Sequence, residues 1–581
     1  MEQENYKQLF IGGDLSGIQN FLYNITSRHA SVSLKGRSAY LSNYLRKVCD
    51  SIESTIKSLG GSYNELYCSG GKFYLTSDNT PAITRAVDDC ARLVKEELWN
   101  EHWGQLGINI SYVPFSENAD GSVNVNGKQN QRSGFLWQCV NATFARQKNQ
   151  KFKDVILAHY DEFFDEKNPK LKVGGKPKVC AVTGVESDTC RPLTKDDFKK
   201  EGLTVAEFEE LKDSSEGIRE EAVYLPSVIE QIVLGKKLAT KLRIKTFEEY
   251  ADGGYLGVLR MDVDGMGKRF IIGFNSIREY HEFSKKVTNF FEGNEKQNIQ
   301  SAVEKLLQKP VAKDAGSGSS FKKHLCVIYA GGDDLFIVGR WDKVIDFAKM
   351  IHDAVACPKD EFMSQDYNFS RVYEDPFESE KQKRQKNISI SGGIAIVKPK
   401  FPIAKAAELA GGAEDAAKAG DKNAFCMFGR VVSWNDKLPY VPYMGCDQSY
   451  KHEYDYVERF KDLFVTYIQN YETNYGFSRS LLHKLMLYSS LADENKEHAS
   501  HGKPMDYRYV WHMSYFLTRF MDKFKGYENE KDSQKKEIKN KLYTFCKTLR
   551  DKHLTERTGR NLQLIALAAR WAELLLREKN Y

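Results

Sequence analysis

Two glycines and two aspartates, Gly331-Gly332-Asp333-Asp334, stand between the apolar arms Leu325–Ala330 and Leu335–Gly339. The arms read as buried strands, and Gly-Gly supplies the permissive backbone of a tight turn, so the pattern predicts a hairpin. Adjacent carboxylates repel, and burying either one unpaired is costly, so a cation is expected at the tip. A hard divalent ion with an oxygen shell, magnesium or manganese, suits such ligands.

A second acidic site lies upstream. The strand-like run Leu256–Met261 ends in Asp262-Val263-Asp264-Gly265, and strand alternation places Asp262 and Asp264 on one side. Between the two sites Phe283, Val287, Phe290 and Phe291 recur at helical spacing. A strand with Asp, a helix, then a hairpin with Asp-Asp is the order of palm-type nucleotidyl transferases and nucleotide cyclases, whose carboxylates hold two metal ions against a triphosphate. Asp262, Asp333 and Asp334 are therefore the candidate catalytic residues, and with Asp264 the candidate ligands of two ions. Gly331 and Gly332 would let the backbone approach a nucleotide. Further on, a helix is expected over Asp342–Ala356 and a strand over Ile388–Val397, with Ser391 and Gly392 where a nucleotide would come close. A helix over Pro402–Lys418 would bring Lys418 toward a phosphate, and a strand over Asn423–Phe428 closes the palm.

The N-terminal part repeats the pattern. Leu9–Gly17 parallels the Asp262 strand, and Leu66–Leu75 parallels the acidic hairpin. In the sequence Lys72 stands where the other copy has Asp333. This copy is thus expected to lack the metal site, with Asp14, Gly70, Gly71 and Lys72 suited to a nucleotide phosphate. One catalytic palm beside one degenerate palm suggests two nucleotides across a pseudo-twofold interface. The expected organisation is α+β: a ferredoxin-like first palm (1–133), an inserted small domain (134–248), a second palm (249–433) and a C-terminal helical bundle (434–581). The insertion contains Cys180, Cys190 and the charged run Lys195–Glu221. Within the second palm, Lys309–Lys323, with Gly316-Ser317-Gly318, reads as a flexible connection.

Together these motifs carry a family resemblance. Gly13–Tyr23, Leu34–Ser38, Ser69–Phe73, Met261–Gly267, Gly331–Asp334, Lys422–Ala424, and Trp511–Tyr515 with Arg519 resemble the large palm-domain subunit of type III CRISPR effector complexes, in the Csm (type III-A) branch. The resemblance implies a target-RNA-activated enzyme that polymerises ATP into cyclic oligoadenylates. It implies CRISPR RNA, target RNA, an RNA-cap-binding neighbour and a small helical subunit as partners. It also implies Ser276 and Arg278 near the nucleotide and Lys418 near its phosphates. Two features depart from the family pattern. The HD-type nuclease domain of many members has no counterpart before Asp14, and His352-Asp353 falls in a predicted helix, so DNA cleavage is not expected. Relatives often carry two cysteine pairs in the insertion, whereas Cys180 and Cys190 fall short of the four ligands of structural zinc, so zinc is not expected. A non-catalytic nucleic-acid-binding scaffold and a stand-alone signalling nucleotide cyclase stay open as readings.

Composition adds limits. The 581 residues carry a net charge of +6, which permits RNA contact without requiring it. There is no apolar run of about eighteen residues, and Met1–Asn5 is polar, so neither a membrane span nor a signal peptide is expected. Eleven scattered cysteines suit reduced cytoplasmic thiols better than a disulfide framework.

Overall fold

Strand β1 (Gln8–Ser16), in the computed structural model of the chain, is buried on both faces. Alternation along it sends Leu9, Ile11 and Leu15 into a core shared with the helices Ala30–Ser58 and Pro81–His102. On the opposite face Phe10 meets Trp137, with ring centroids 4.6 Å apart. The structure describes residues 6–25, 30–102, 104–158, 160–161, 178–187, 189–200, 202, 222–272, 274–294, 297–311, 319–356, 358–359, 361–362, 366–369, 388–434, 452–469, 478–504, 506–553 and 560–578. It divides into two units, residues 1–412 and 413–581.

Around β1 the first sheet is completed by β2 (Tyr63–Ser69), β3 (Lys72–Asp78), β4 (Gly107–Glu117), β5 (Val123–Val125) and β6 (Lys128–Gln131). The order is β2-β3-β1-β4-β5-β6, antiparallel throughout. Its first four strands with their two helices make the ferredoxin-like palm. Helix Gly134–Lys148 covers the outer face, where a Cβ on Gly12 would stand 2.8 Å from Val140 Cγ1. That helix lies past the boundary expected at residue 133. The sheet requires it, because Phe10 would otherwise face water.

In the inserted segment β7 (Lys178–Val179) pairs with β8 (Glu186–Ser187). Cys180 and Cys190 are buried among Val182, Leu193, Phe198 and Tyr224, against the helix Pro226–Leu242. That helix crosses Ala30–Ser58 at close quarters: a Cβ on Gly36 would stand 1.9 Å from the Gln231 carbonyl. Most of the charged run Lys195–Glu221, and the stretch Gly316-Ser317-Gly318, lie outside the described residues.

The second palm repeats the first. Its strands β9 (Leu256–Val263), β10 (Leu325–Gly331), β11 (Asp334–Arg340) and β12 (Ile390–Val397) run β10-β11-β9-β12, the same permutation as β2-β3-β1-β4. The helices Ile277–Phe291 and Trp341–Ala356 fall between them as expected. Both hairpins carry a bulge at the matching place, between Glu65 and Tyr67 and between Val327 and Tyr329. The palms brace each other. Ala30 and Leu34 of the first enter the core of the second beside Ile328 and Phe336, and Lys35 Nζ donates to the Val327 carbonyl at 2.9 Å. Reciprocally, His281 Nδ1 on the second palm's helix lies 3.1 Å from the Leu66 carbonyl of β2.

The second unit begins within the helix Ile403–Lys418 and continues into the hairpin β13 (Ala424–Met427) and β14 (Arg430–Ser433), and β13 lies within the strand expected over Asn423–Phe428. Helices Glu453–Gln469, Arg479–Ser500, Arg508–Met521, Ser533–Thr548 and Arg560–Glu578 follow. The last buries Leu562, Ile565, Ala568, Trp571 and Leu574, so its apolar stripe is core. Among the described residues no helix is long and apolar enough to cross a membrane.

Candidate active site

The acidic hairpin closes through a two-residue loop, Gly332-Asp333, between Gly331 of β10 and Asp334 of β11. Gly332 has φ +66° at the first loop position, where a turn that matches the strand twist wants glycine. Register then decides which carboxylates meet. Asp334 lies opposite Asp262 of β9, and Ser391 of β12 lies opposite Asp262 on its other side. The Val263 amide donates to the Asp333 carbonyl at 3.1 Å and ties the tip to β9. As a result Asp262, Asp333 and Asp334 each offer an oxygen within 4.8 Å of the others, the one such group of three or more potential metal ligands among the described residues.

Electrostatics make this cluster hungry for a cation. Burial first, and then the negative charge of Asp262, push the Asp333 carboxyl up to about 6, against the opposing charge of Lys72. Oxygens so spaced approach the span of an ion bonded at about 2.0–2.1 Å, so the donor set fits magnesium or manganese.

Several expected residues are placed differently. Asp264 is buried, its Oδ2 accepting from Ser389 Oγ at 2.8 Å and Ser391 Oγ at 2.9 Å. It fastens β9 to β12 and stands outside the three-carboxylate group. Gly392 pairs with Met261, and a Cβ there would stand 2.6 Å from Met261 Cγ. Alternation therefore turns it from the side Asp262 faces, and the open space expected over it is filled by Met261. Ser276 caps the helix Ile277–Phe291, accepting from the Glu279 amide at 3.2 Å, while Arg278 is exposed and pairs with Glu282 at 3.2 Å. The far end of that helix meets the hairpin tip, and fifteen residues rise about 22 Å. Both residues thus sit at the end remote from the carboxylates. Lys418 belongs to the second unit and pairs with Glu414 at 2.5 Å.

In the first palm, Lys72 pairs in register with Asp14, as Asp334 does with Asp262. The equivalences are therefore Gly70 with Gly332, Gly71 with Asp333, and Lys72 with Asp334. This corrects the alignment of Lys72 with Asp333, because the two-residue loops, not the paired glycines, fix the register. Gly70 and Gly71 both have positive φ, +59° and +80°. Asp14 is buried and bridged by Lys148 Nζ at 2.7 Å, while Lys72 is exposed.

Glu292, just past the helix Ile277–Phe291, was not marked out by any motif. It lies at the two hairpin tips, where Ser69 Oγ donates to its carboxylate. Ser69 Oγ also accepts from the Gly332 amide at 2.8 Å. A Cβ on Gly331 would stand 2.7 Å from Glu292 Oε1, so Gly331 makes room for Glu292. His352, by contrast, is buried on the helix Trp341–Ala356, its Nδ1 3.1 Å from Asp353 Oδ1.

Residues 255–426 match the family model of Cas10/Cmr2, second palm domain, and residues 7–168 match that of Csm1 subunit domain B. The CRISPR system single-strand-specific deoxyribonuclease Cas10/Csm1 (subtype III-A) of Mycobacterium tuberculosis is 25% identical over 494 residues, covering 76% of this chain and 56% of the relative. Its counterpart in Methanocaldococcus jannaschii is 24% identical over 527 residues, covering 75% and 61%. The chain thus spans little more than half the length of these relatives. Among solved structures, a Csm1–Csm4 cassette in complex with pppApA superposes with a TM-score of 0.54 at 18% identity, over 97% of this chain and 69% of that one. A cassette in complex with cA4 gives 0.53 at 19%, over 97% and 70%. At this identity the likeness is one of fold.

Proposed function

We propose that this chain is a Cas10/Csm1-type subunit of a type III-A CRISPR system whose second palm joins ATP into cyclic oligoadenylates by two-metal nucleotidyl transfer. The observation that carries this reading is the meeting of Asp262, Asp333 and Asp334 on a palm. Support comes from the family matches of both palms and from neighbours of the same fold bound to pppApA and cA4.

In this reading Asp262, Asp333 and Asp334 hold two magnesium or manganese ions. When bound, such ions neutralise a triphosphate and lower the pKa of an attacking ribose hydroxyl. The chain's own contribution is placement. Register fixes Asp262 against Asp334, the Val263 amide holds the tip carrying Asp333, and the Ser391–Asp264–Ser389 contacts keep β12 aligned with β9. Lys72, beside the glycine loop Gly70-Gly71, offers a second nucleotide a cation at the facing tip. CRISPR RNA, target RNA and other Csm-type subunits are the partners of this cytoplasmic complex, and target RNA switches synthesis on. The solved neighbours are themselves Csm1–Csm4 complexes.

Mass spectrometry of the products of the reconstituted, target-activated complex tests the reading. The wild type yields cyclic oligoadenylates, and Asp333→Ala/Asp334→Ala yields none while assembling normally. Full synthesis by the double variant would refute two-metal chemistry at this site.

A further inference from the structure

At the two hairpin tips one acidic side chain of the second palm bonds to the first palm. Glu292 leaves the end of the second palm's helix and accepts from Ser69 Oγ of the first palm. Ser69 Oγ in turn accepts from the Gly332 amide at 2.8 Å, so the hydroxyl relays Glu292 to the acidic loop. The tips touch so closely that a Cβ on Gly70 would stand 2.8 Å from Gly332 Cα. Gly332 directly precedes Asp333. A shift of that peptide moves the carboxylate that must meet Asp262 and Asp334.

We propose that Glu292 is a positioning residue: it clamps the catalytic hairpin to the degenerate one, so the placement of Asp333 depends on Ser69 and Gly70 of the first palm. The clamp rests on the nucleotidyl-transfer reading for its purpose, though not for its existence. It gives the degenerate palm a second duty beside nucleotide binding, since its glycine loop supplies the fixed surface against which the acidic loop is set. The contacts also have the right chemistry. The buried Ser69 hydroxyl donates to the carboxylate and accepts from the Gly332 amide, so an apolar replacement of Glu292 leaves that hydroxyl without its acceptor. Glycine at Gly331 and Gly70 is required for the same reason, because a side chain at either place would enter the clamp.

The test uses the full-length chain in its complex, with Glu292→Ala, Glu292→Gln and Ser69→Ala. Hydrogen exchange is followed by mass spectrometry across Tyr329–Phe336, with β1 as the internal control, alongside product formation over an ATP titration. In Glu292→Ala, exchange in the acidic hairpin rises at least about tenfold, since the hairpin's local opening is no longer held by these bonds. Product kcat falls about a hundredfold, as a displaced group costs, while KM for ATP stays nearly constant. Glu292→Gln, which keeps an acceptor oxygen, recovers much of both, and Ser69→Ala falls between. Hairpin exchange unchanged in Glu292→Ala, or turnover at the wild-type kcat, would overturn the clamp. A wild type that makes no oligoadenylate would refute the cyclase reading instead, and the exchange measurement would still decide the role of Glu292.

Discussion

The two palms share strand order, helices and even the position of a bulge, yet they treat their central aspartate in opposite ways. Asp14 is answered from within: Lys148 bridges it at 2.7 Å and Lys72 is its register partner. Asp262 faces Asp334 in the same register and lies within 4.8 Å of Asp333 as well. One copy supplies its own cation, Lys148, and the other gathers negative charge that an outside cation must balance. The fold tolerates both because the substitutions fall at a hairpin tip rather than in the sheet's apolar layers. A self-neutralised site is stable and inert, whereas a repelling cluster is a ligand set waiting for metal.

The largest effect separating the palms should come from Asp262→Ala. Loss of a ligand from the second palm is expected to lower oligoadenylate synthesis by at least about a thousandfold, roughly 4 kcal/mol of transition-state stabilisation, measured as initial rates at saturating ATP. Asp14→Ala, the matching change in the first palm, should leave most of kcat intact. Equal losses would break the asymmetry.

Stability should divide the palms in the same sense. Lys148→Ala strands a buried carboxylate and should cost about 2 kcal/mol in denaturant unfolding, discounted because Lys148 is half exposed. A stability unchanged by Lys148→Ala would show that Asp14 does not depend on it.

Acid should also find the first palm. His102 is buried against Tyr40, and burial first, with Arg37 second, holds its imidazole down at about 4. Its neutral form is therefore favoured on folding. That contribution is whole above the ordinary value near 6.5 and is lost as pH falls toward 4. At pH 5 the loss amounts to about 2 kcal/mol, which His102→Gln should largely abolish in a pH series of thermal melts. A wild-type stability flat between pH 7 and 5 would contradict it. The smallest effect is opposite in sign: Asp333→Asn relieves repulsion and should raise the metal-free stability by about 1 kcal/mol, a gain that excess magnesium should erase.

Much of this contrast is readable in the chain, because the features that carry it are local. Apolar runs flanking Gly331–Asp334 and ending in Asp262 specify strands and a turn, and the duplicated order of strand, helix and hairpin specifies the palm. What the sequence hides is set by pairing between distant segments. Aligning the glycine pairs matched Lys72 to Asp333, yet the ladder matches it to Asp334. Gly392 looked like a place for a ligand until register put Met261 over it. Ser276 and Arg278 are near the acidic hairpin in the chain's topology but at the wrong end of a fifteen-residue helix. Glu292 carries no motif at all. Its importance comes from lying where two hairpins, more than two hundred residues apart, bring their amides together.

Anomalous diffraction from crystals of the complex soaked with manganese and a non-hydrolysable ATP analogue tests the central contrast most directly. Manganese peaks should appear on the oxygens of Asp262, Asp333 and Asp334, with none beside Asp14, where Lys148 already supplies the charge. A manganese ion ligated by Asp14, or an analogue bound in the second palm with no metal on those three carboxylates, would contradict the account.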